Sequence, residues 1–472
     1  MPCVKPGCRG KNPISACSPS KSKPGTRLQK SRIRTSPVRD LLVFGFMLLF
    51  VPLAFTHSYT AYLLWGWAGL IAIGSYLYGF MIGVPFVQIF AMITMASLLL
   101  LKDSENQRFE FNRTTVLFLL FVLHGFFCAL FAYPGLVRNW ELFSNLAKTV
   151  LFCLFMPMLV TNRLRIHALV IMIAIATSFH GVLDGLKFIA SGGAHNAQVI
   201  LKFGDNNHLA MVLAMVLPLL YYLWQYSSHK LIRWGFAGAL LLTVLAVVAT
   251  HSRGGLIALF TVALLIVLRS RKIIPGLVFV LLSGFLVLQL APTEWTERMQ
   301  TIQTAEEDES FMGRVTAWKV SSAIAVEHPI FGGGFRAIQS YPVWDKFKDE
   351  PGLLGFIETP DVGRSGVAAH SIWFEVLGDL GFVGFFIFLA LFINAAYTYQ
   401  EIRRLVKQAG VAQRWAGDLA GMLIIALCVY LVAGSLLSVA YFELPYICMM
   451  LLEVIRQQQR RQAQLPLIDG TP

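Results

Sequence analysis

Long apolar segments recur along most of the chain and constrain its fold more than any other feature. Each is roughly 16–25 residues long, about the length that a helix needs to cross a hydrocarbon core of about 30 Å. Uninterrupted segments of this length are typical of helices that satisfy their own backbone hydrogen bonds in lipid. The sequence therefore predicts an all-α polytopic membrane protein. The segments lie near residues 41–56, 61–80, 82–101, 115–133, 146–162, 166–189, 208–226, 231–250, 254–268, 273–291, 371–396, 417–440 and 441–456.

The composition agrees with this class and decides how the charge is interpreted. Hydrophobic residues make up 56% of the chain and charged residues only 14%, which is far from the balance of a soluble domain. The net charge of +13 therefore indicates topology, and no nucleic-acid partner is expected. Residues 1–40 are basic and rich in Ser, Pro and Gly, which predicts a disordered tail on the cytoplasmic side.

Basic clusters between apolar segments set the predicted topology. Clusters at 162–165, 229–233, 269–272 and 403–414 are expected in the cytoplasm, which leaves 292–370 outside. If the tail is cytoplasmic, the first three apolar segments can supply only two full membrane crossings. We therefore expect about 12 membrane-spanning helices, with both ends of the chain in the cytoplasm. The predicted domains are the tail 1–40, a helical bundle 41–291, an extracytoplasmic loop domain 292–370, membrane helices 371–456 and a cytoplasmic tail 457–472.

The loop domain 292–370 combines helical and turn-rich segments. Residues 313–320 have the pattern of an amphipathic helix, and Gly332, Gly333 and Gly334 allow the backbone to approach a ligand or another helix closely. The acidic run 306–309 could be a metal site or a solvated loop surface. The solvated surface is favoured because the run lacks the spacing of metal ligands.

Two polar groups at the predicted outer face stand at the ends of apolar segments. Asp205, Asn206, Asn207 and His208 precede one segment, either as helix caps or as part of a site. Arg253 lies between two further segments, where its charge needs an anionic partner. That partner could be an internal acid or a pyrophosphate, which a guanidinium binds with paired hydrogen bonds.

His370 is the third candidate, because it closes the polar loop directly before a membrane helix. An imidazole at the mouth of a span suits acid–base chemistry on a substrate that is half lipid and half polar. The alternative is a histidine that only caps the helix at the interface. Arg336 and Arg364 lie in the loop that leads to it.

Together these residues resemble a known family. His370-Ser371 followed after nine residues by Gly381 and Gly384 is similar to the signature of the O-antigen ligase and polymerase superfamily. The resemblance covers roughly residues 110–400 and is closest to the O-glycosylation ligase branch. The wider set, in the same order as in O-antigen ligases, is Asp205-Asn206-Asn207, Ser252-Arg253-Gly254-Gly255, Met312-Gly313-Arg314, Gly332-Gly333-Gly334-Phe335 and His370-Ser371.

The resemblance implies a GT-C-like, metal-independent glycosyltransferase without a cofactor. It would move a glycan from undecaprenyl pyrophosphate to a hydroxyl of a lipid A core sugar, in lipopolysaccharide biosynthesis. The reaction would take place on the periplasmic face of the bacterial inner membrane, with His370 as the catalytic base. Arg253, then Arg314 and Arg336, would bind the pyrophosphate, and the supporting residues would be Asp205, Asn206, Asn207 and Ser371.

Other functions remain open at this point. A glycan polymerase would join the same donor to a second carrier-linked glycan, and a protein O-oligosaccharyltransferase would join it to Ser or Thr. A transporter is the non-enzymatic alternative. It is less favoured because the polar residues gather at one membrane face and no inverted repeat is evident.

Overall fold

The computed structural model describes residues 38–77, 79–101, 106–197, 204–270, 274, 309–359 and 366–464, and the regular structure in these residues is entirely helical. This confirms the all-α prediction for that part of the chain. The helices are α1 (Val38–Thr56), α2 (Ser58–Ile71), α3 (Phe86–Leu100), α4 (Arg113–Leu130), α5 (Asn139–Leu159), α6 (Arg163–Ala190), α7 (Asn206–Tyr226), α8 (Lys230–Ala249), α9 (Arg253–Arg269), α10 (Glu309–Glu327), α11 (Tyr341–Phe347), α12 (Ile372–Ala409), α13 (Arg414–Gly434) and α14 (Glu443–Gln464).

Several of these helices are suited to cross a membrane. Within the described residues, seven have the length and apolar composition for it: α4 to α8, α12, and α13 with the turn before it. α1 and α3 are apolar but shorter. The chain is therefore a polytopic membrane protein, while the apolar segment predicted at 273–291 lies outside the described residues apart from Ile274.

Short polar side chains determine where several helices begin. Asn112 caps α4, Asn162 caps α6 and Ser252 caps α9, each by accepting a backbone N–H three residues further on. Asp205 does the same for α7, since its Oδ1 accepts the N–H of His208 at 2.7 Å. The capping interpretation is thus confirmed for Asp205.

The helices pack around α7, whose span is largely buried inside the protein. It contacts α6, α8, α9 and α13, while α12 packs against α4, α13 and α14. α10 lies along α12 and contributes to a second, smaller core under the loop region. The principal members of that core are Ala317, Val320, Ile324, Trp344 and Phe347.

A break in α12 holds the loop region to the membrane helices. The helix is interrupted at Gly381, whose φ of 68° lies in the left-handed region. The carbonyls of Gly378 and Asp379 accept hydrogen bonds from the backbone of Gly333 and Gly334, at 2.9 and 3.0 Å. A Cβ on Gly332 would lie 2.5 Å from the nitrogen of Gly381. The glycine triplet therefore allows the direct backbone contact with another helix that was expected of it.

The last helix, α14, runs without interruption through the predicted boundary between residues 456 and 457. Residues 457–459 are buried. Arg456 forms ion pairs with Glu453 and Glu401 at 2.6 and 3.3 Å. Residues 457–464 thus continue α14, and the first three of them pack inside the helical bundle.

Candidate active site

A cavity of about 620 Å³ lies at the end of the bundle where α7 and α12 begin. Its walls come from α2, α5, the start of α7, the loop before α12 and the connection between α13 and α14. Four of the residues that the sequence singled out line it: Asp205, His208, Arg336 and His370. The fold therefore brings together candidates that are up to 165 residues apart in the chain.

His370 is held in an unusual backbone conformation at this cavity. Its φ is 46°, a value that costs a non-glycine residue about 1–3 kcal/mol. Its N–H donates to Oγ of Ser438 at 2.8 Å, and the preceding carbonyl of Ala369 accepts from Nε1 of Trp318 at 2.7 Å. The Trp318 ring stacks on Phe374 in the first turn of α12. Contacts from α10 and from the α13–α14 connection thus fix the position of His370.

The surroundings of His370 favour its neutral form. Burial lowers the pKa of the imidazole below its ordinary value of 6.5, and the nearby guanidinium of Arg314 lowers it further. The carboxylate of Asp205 opposes both effects. The N-cap position of α12 belongs to Ser371, which is buried. His370 therefore precedes the cap, and a neutral imidazole at the cavity can accept a proton.

Arg336 lines the same cavity and is held by Asp379. Its φ is 58°, and its backbone N–H donates to Oδ1 of Asp379 at 2.9 Å. The side-chain Nε is buried and has no hydrogen-bond partner within the described residues. A buried donor without an acceptor costs about 1–3 kcal/mol, so an anionic ligand at this point would be stabilised.

Two buried carboxyl groups in α12 were not predicted as site residues: Glu375, which lines the cavity, and Asp379, one turn further along the helix. Oε2 of Glu375 accepts the N–H of Ala440 at 2.8 Å, and Oδ2 of Asp379 accepts from the hydroxyl of Tyr441 at 3.0 Å. Burial, and then the adjacent Asp379, raise the pKa of Tyr441 well above 10, so its hydroxyl stays protonated and donates. The signal was in the sequence, because Glu375 and Asp379 are acids four residues apart in an apolar segment.

α5 supplies a further wall that the sequence interpretation also missed. Arg138, directly before this helix, and Leu142, Asn145, Lys148 and Phe152 within it line the cavity. Their spacing of three or four residues places them on one helix face. The available signal was Lys148 itself, a cation just inside the apolar segment 146–162.

The described cavity lining does not include the other predicted site residues, which are Arg253, Arg314, Asn206, Asn207 and Ser371. Arg253 occupies the first turn of α9, next to Ser252, whose Oγ donates to Oδ1 of Asn207 at 2.6 Å. Nδ2 of Asn206 donates to the carbonyl of Thr250 at 2.9 Å. These bonds hold the start of α9 against the start of α7. Arg364 and residues 306–308 lie outside the described residues.

Backbone strain is concentrated at these positions. The described non-glycine residues with positive φ are Ala72, His251, Arg336 and His370. Two of the four, Arg336 and His370, are candidate site residues from the sequence. Such strain persists only where surrounding contacts impose it, and it is frequent at functional sites.

Comparison with protein families divides the chain into two matched regions. Residues 238–389 match the family model described as O-antigen ligase. Residues 38–228 match a second model, described as a family of unknown function. No curated protein matches the chain. The first region contains Arg253, Arg314, Arg336 and His370, and the second contains Asp205 and Lys148.

Proposed function

Since residues 238–389 place this chain in the O-antigen ligase-like superfamily, we propose that it transfers a glycan from undecaprenyl pyrophosphate to an acceptor hydroxyl. Membership of the superfamily supports a membrane enzyme of the glycan ligase or polymerase type. The observation that carries the more specific proposal is the meeting of His370 and Arg336 at one cavity. One supplies a neutral imidazole and the other a guanidinium with an unsatisfied donor.

The chemistry assigns each of these groups a step. The acceptor oxygen attacks the anomeric carbon and loses its proton to His370. A new glycosidic bond forms as the bond to the pyrophosphate oxygen breaks, and undecaprenyl pyrophosphate leaves with the electron pair. Arg336 and Arg314 stabilise the charge that collects on the leaving group, so the step needs no metal ion. Arg253 remains in the proposal as a third cation at the same end of the bundle.

The proposed acceptor is a sugar of the lipid A core, which assigns the protein to lipopolysaccharide biosynthesis. A second carrier-linked glycan would make it a polymerase, and a Ser or Thr of a protein would make it an O-oligosaccharyltransferase. All three reactions use the same donor and need the same base. They differ only in the group that supplies the attacking hydroxyl.

We further propose a GT-C-like arrangement of about 12 spans in the bacterial inner membrane, with both ends in the cytoplasm. Residues 1–40 and 457–472 would be cytoplasmic, and the loop domain 292–370 would be periplasmic. In this topology the arginines and His370 would contact the donor on the periplasmic side, where the glycan is attached to its acceptor. A cysteine at position 345 should react with a membrane-impermeant thiol reagent in intact spheroplasts, and one at 271 should not.

The proposed reaction is tested with purified protein in proteoliposomes. The protein is given a carrier-linked glycan and, in separate reactions, lipid A core, a second carrier-linked glycan or a Ser/Thr-containing protein. Mass spectrometry of the products should show glycan on the lipid A core. If the glycan appears on one of the other two acceptors instead, that acceptor takes the place of the lipid A core in the proposal. If the donor stays intact with every acceptor, the proposal of a transferase is refuted.

A further inference from the structure

Lys148 places a positive charge inside a membrane span. It lies on α5, a helix long and apolar enough to cross the membrane. Its side chain is exposed at the cavity and forms no ion pair with any described residue. A lone ammonium group at such a position is costly and calls for an anionic partner.

Other cations near membrane spans show what such a partner looks like. Lys187 on α6 is bound to Asp184 at 2.9 Å, and Arg269 at the end of α9 is bound to Asp418 at 3.3 Å. Neither of them lines the cavity. Lys148 differs from both, because it lines the cavity, and the carboxylate within range of its charge, Glu141 on the same helix, is already bound to Arg138 at 2.9 Å.

Acidic side chains do line this cavity, but they have other roles. Asp205 caps α7, and Glu375 accepts the N–H of Ala440. Glu443 begins α14. None of the three forms an ion pair with Lys148 in the described structure. Its counter-ion is therefore expected to come from a bound ligand.

The cavity wall that α5 forms changes from polar to apolar along the helix. Lys148 and Asn145 lie near the start of the apolar segment 146–162, and Phe152 follows one turn deeper. Trp65, Leu70 and Val87 add apolar surface to the same cavity. A ligand that matches this wall carries an anionic group beside Lys148 and an apolar chain beyond it.

We propose that Lys148, assisted by Asn145, binds a phosphate of the lipid carrier on the wall of the cavity formed by α5. This inference rests on the proposed function, because that function supplies a carrier with an anionic head and a polyprenyl chain. Lys148 would hold the carrier by its phosphate, and His370 would act on the acceptor. The proposal thus adds Lys148 to Arg253, Arg314 and Arg336 as a residue that binds phosphate.

The test compares binding of two probes, undecaprenyl pyrophosphate and undecaprenol, to purified protein in nanodiscs. Lys148→Met should bind undecaprenyl pyrophosphate roughly 10- to 100-fold more weakly, the loss expected for a hydrogen bond to a charged group. Undecaprenol binding should not change, because it has no phosphate. Lys148→Arg should recover most of the affinity.

The matched control is Lys187→Met, which removes a membrane-span lysine that does not line the cavity. It should bind both probes as the wild type does. The thermal unfolding midpoint of each variant separates lost binding from lost folding. The role of Lys148 would be refuted if Lys148→Met bound undecaprenyl pyrophosphate as tightly as the wild type does. It would also be refuted if the variant lost the same affinity for both probes. Failure of the wild type itself to bind undecaprenyl pyrophosphate would refute the proposed donor.

Discussion

The backbone N–H of Arg336 donates a hydrogen bond of 2.9 Å to Oδ1 of Asp379, although the two residues belong to different parts of the fold. Arg336 lies in the loop between α10 and α12, and Asp379 lies inside α12 just before its break at Gly381. The other carboxylate oxygen accepts from Tyr441. One buried carboxylate thus connects the loop, the broken helix and the connection that leads to α14.

Asp379→Ala should weaken donor binding because it leaves the N–H of Arg336 and the hydroxyl of Tyr441 without their acceptor. Arg336 would then no longer be held with its guanidinium at the cavity. The KM for the donor should rise by roughly tenfold or more, with a smaller change in kcat. Asp379→Asn keeps an acceptor oxygen and should recover much of the loss. Equal KM values for Asp379→Ala and the wild type would show that this bond does not position Arg336.

The pH dependence of transfer should report the pKa of His370. Because burial and Arg314 lower that pKa, the imidazole stays neutral at pH 7, and activity should fall only as pH drops through a value below 6.5. Arg314→Gln removes a positive charge, so the pKa should rise and the acidic limb should move to higher pH. The measurement is kcat/KM against pH for both proteins. An unmoved limb, or one moved to lower pH, would contradict the proximity of Arg314 to the base.

The contact between Gly332 and Gly381 should not tolerate a side chain. Gly332→Ala places a Cβ 2.5 Å from the nitrogen of Gly381 and requires an unfavourable positive φ. We expect the free energy of unfolding to fall by more than about 1 kcal/mol. Gly238→Ala is the control, because a Cβ there meets nothing within 4 Å. Thermal unfolding in detergent measures both variants, and equal midpoints would argue against the backbone contact.

How far the sequence could predict this structure depends on the range of each interaction. The helices were predictable because apolar length is a local property, and α4 to α8 all lie where apolar segments were expected. The break at Gly381 was not predicted. It depends on backbone groups of Gly333 and Gly334, which lie 48 and 47 residues earlier in the chain. A glycine in an apolar segment does not by itself reveal such a partner.

The limited range of sequence signals also explains why the site was predicted only in part. Asp205, Arg336 and His370 were identified as separate polar groups, and the cavity unites them. Arg253 was ranked first among the three candidate arginines, but of these three it is Arg336 that lines the cavity. Residue spacing does not determine which side chain of a turn faces a cavity. Glu375, Asp379 and Lys148 were missed, although a charged residue in an apolar segment is a local and visible signal.

Transfer should proceed without a divalent cation, because guanidinium groups stabilise the leaving pyrophosphate in this account. Initial rates in excess EDTA should equal those with added magnesium or manganese. Glu306→Gln combined with Asp308→Asn should be tolerated, since the acidic run is expected to be a solvated surface. Loss of activity in EDTA with recovery on adding manganese would contradict the arginine mechanism.

The most direct test of the account is a paired measurement on His370→Ala, which records glycan transfer and undecaprenyl pyrophosphate binding in the same preparation. Removal of a general base should slow transfer by about 10²- to 10⁴-fold and leave carrier affinity within a few-fold of the wild type. Lys187→Met is the control and should match the wild type in both. Transfer at the wild-type rate by His370→Ala would contradict the assignment of His370 as the base.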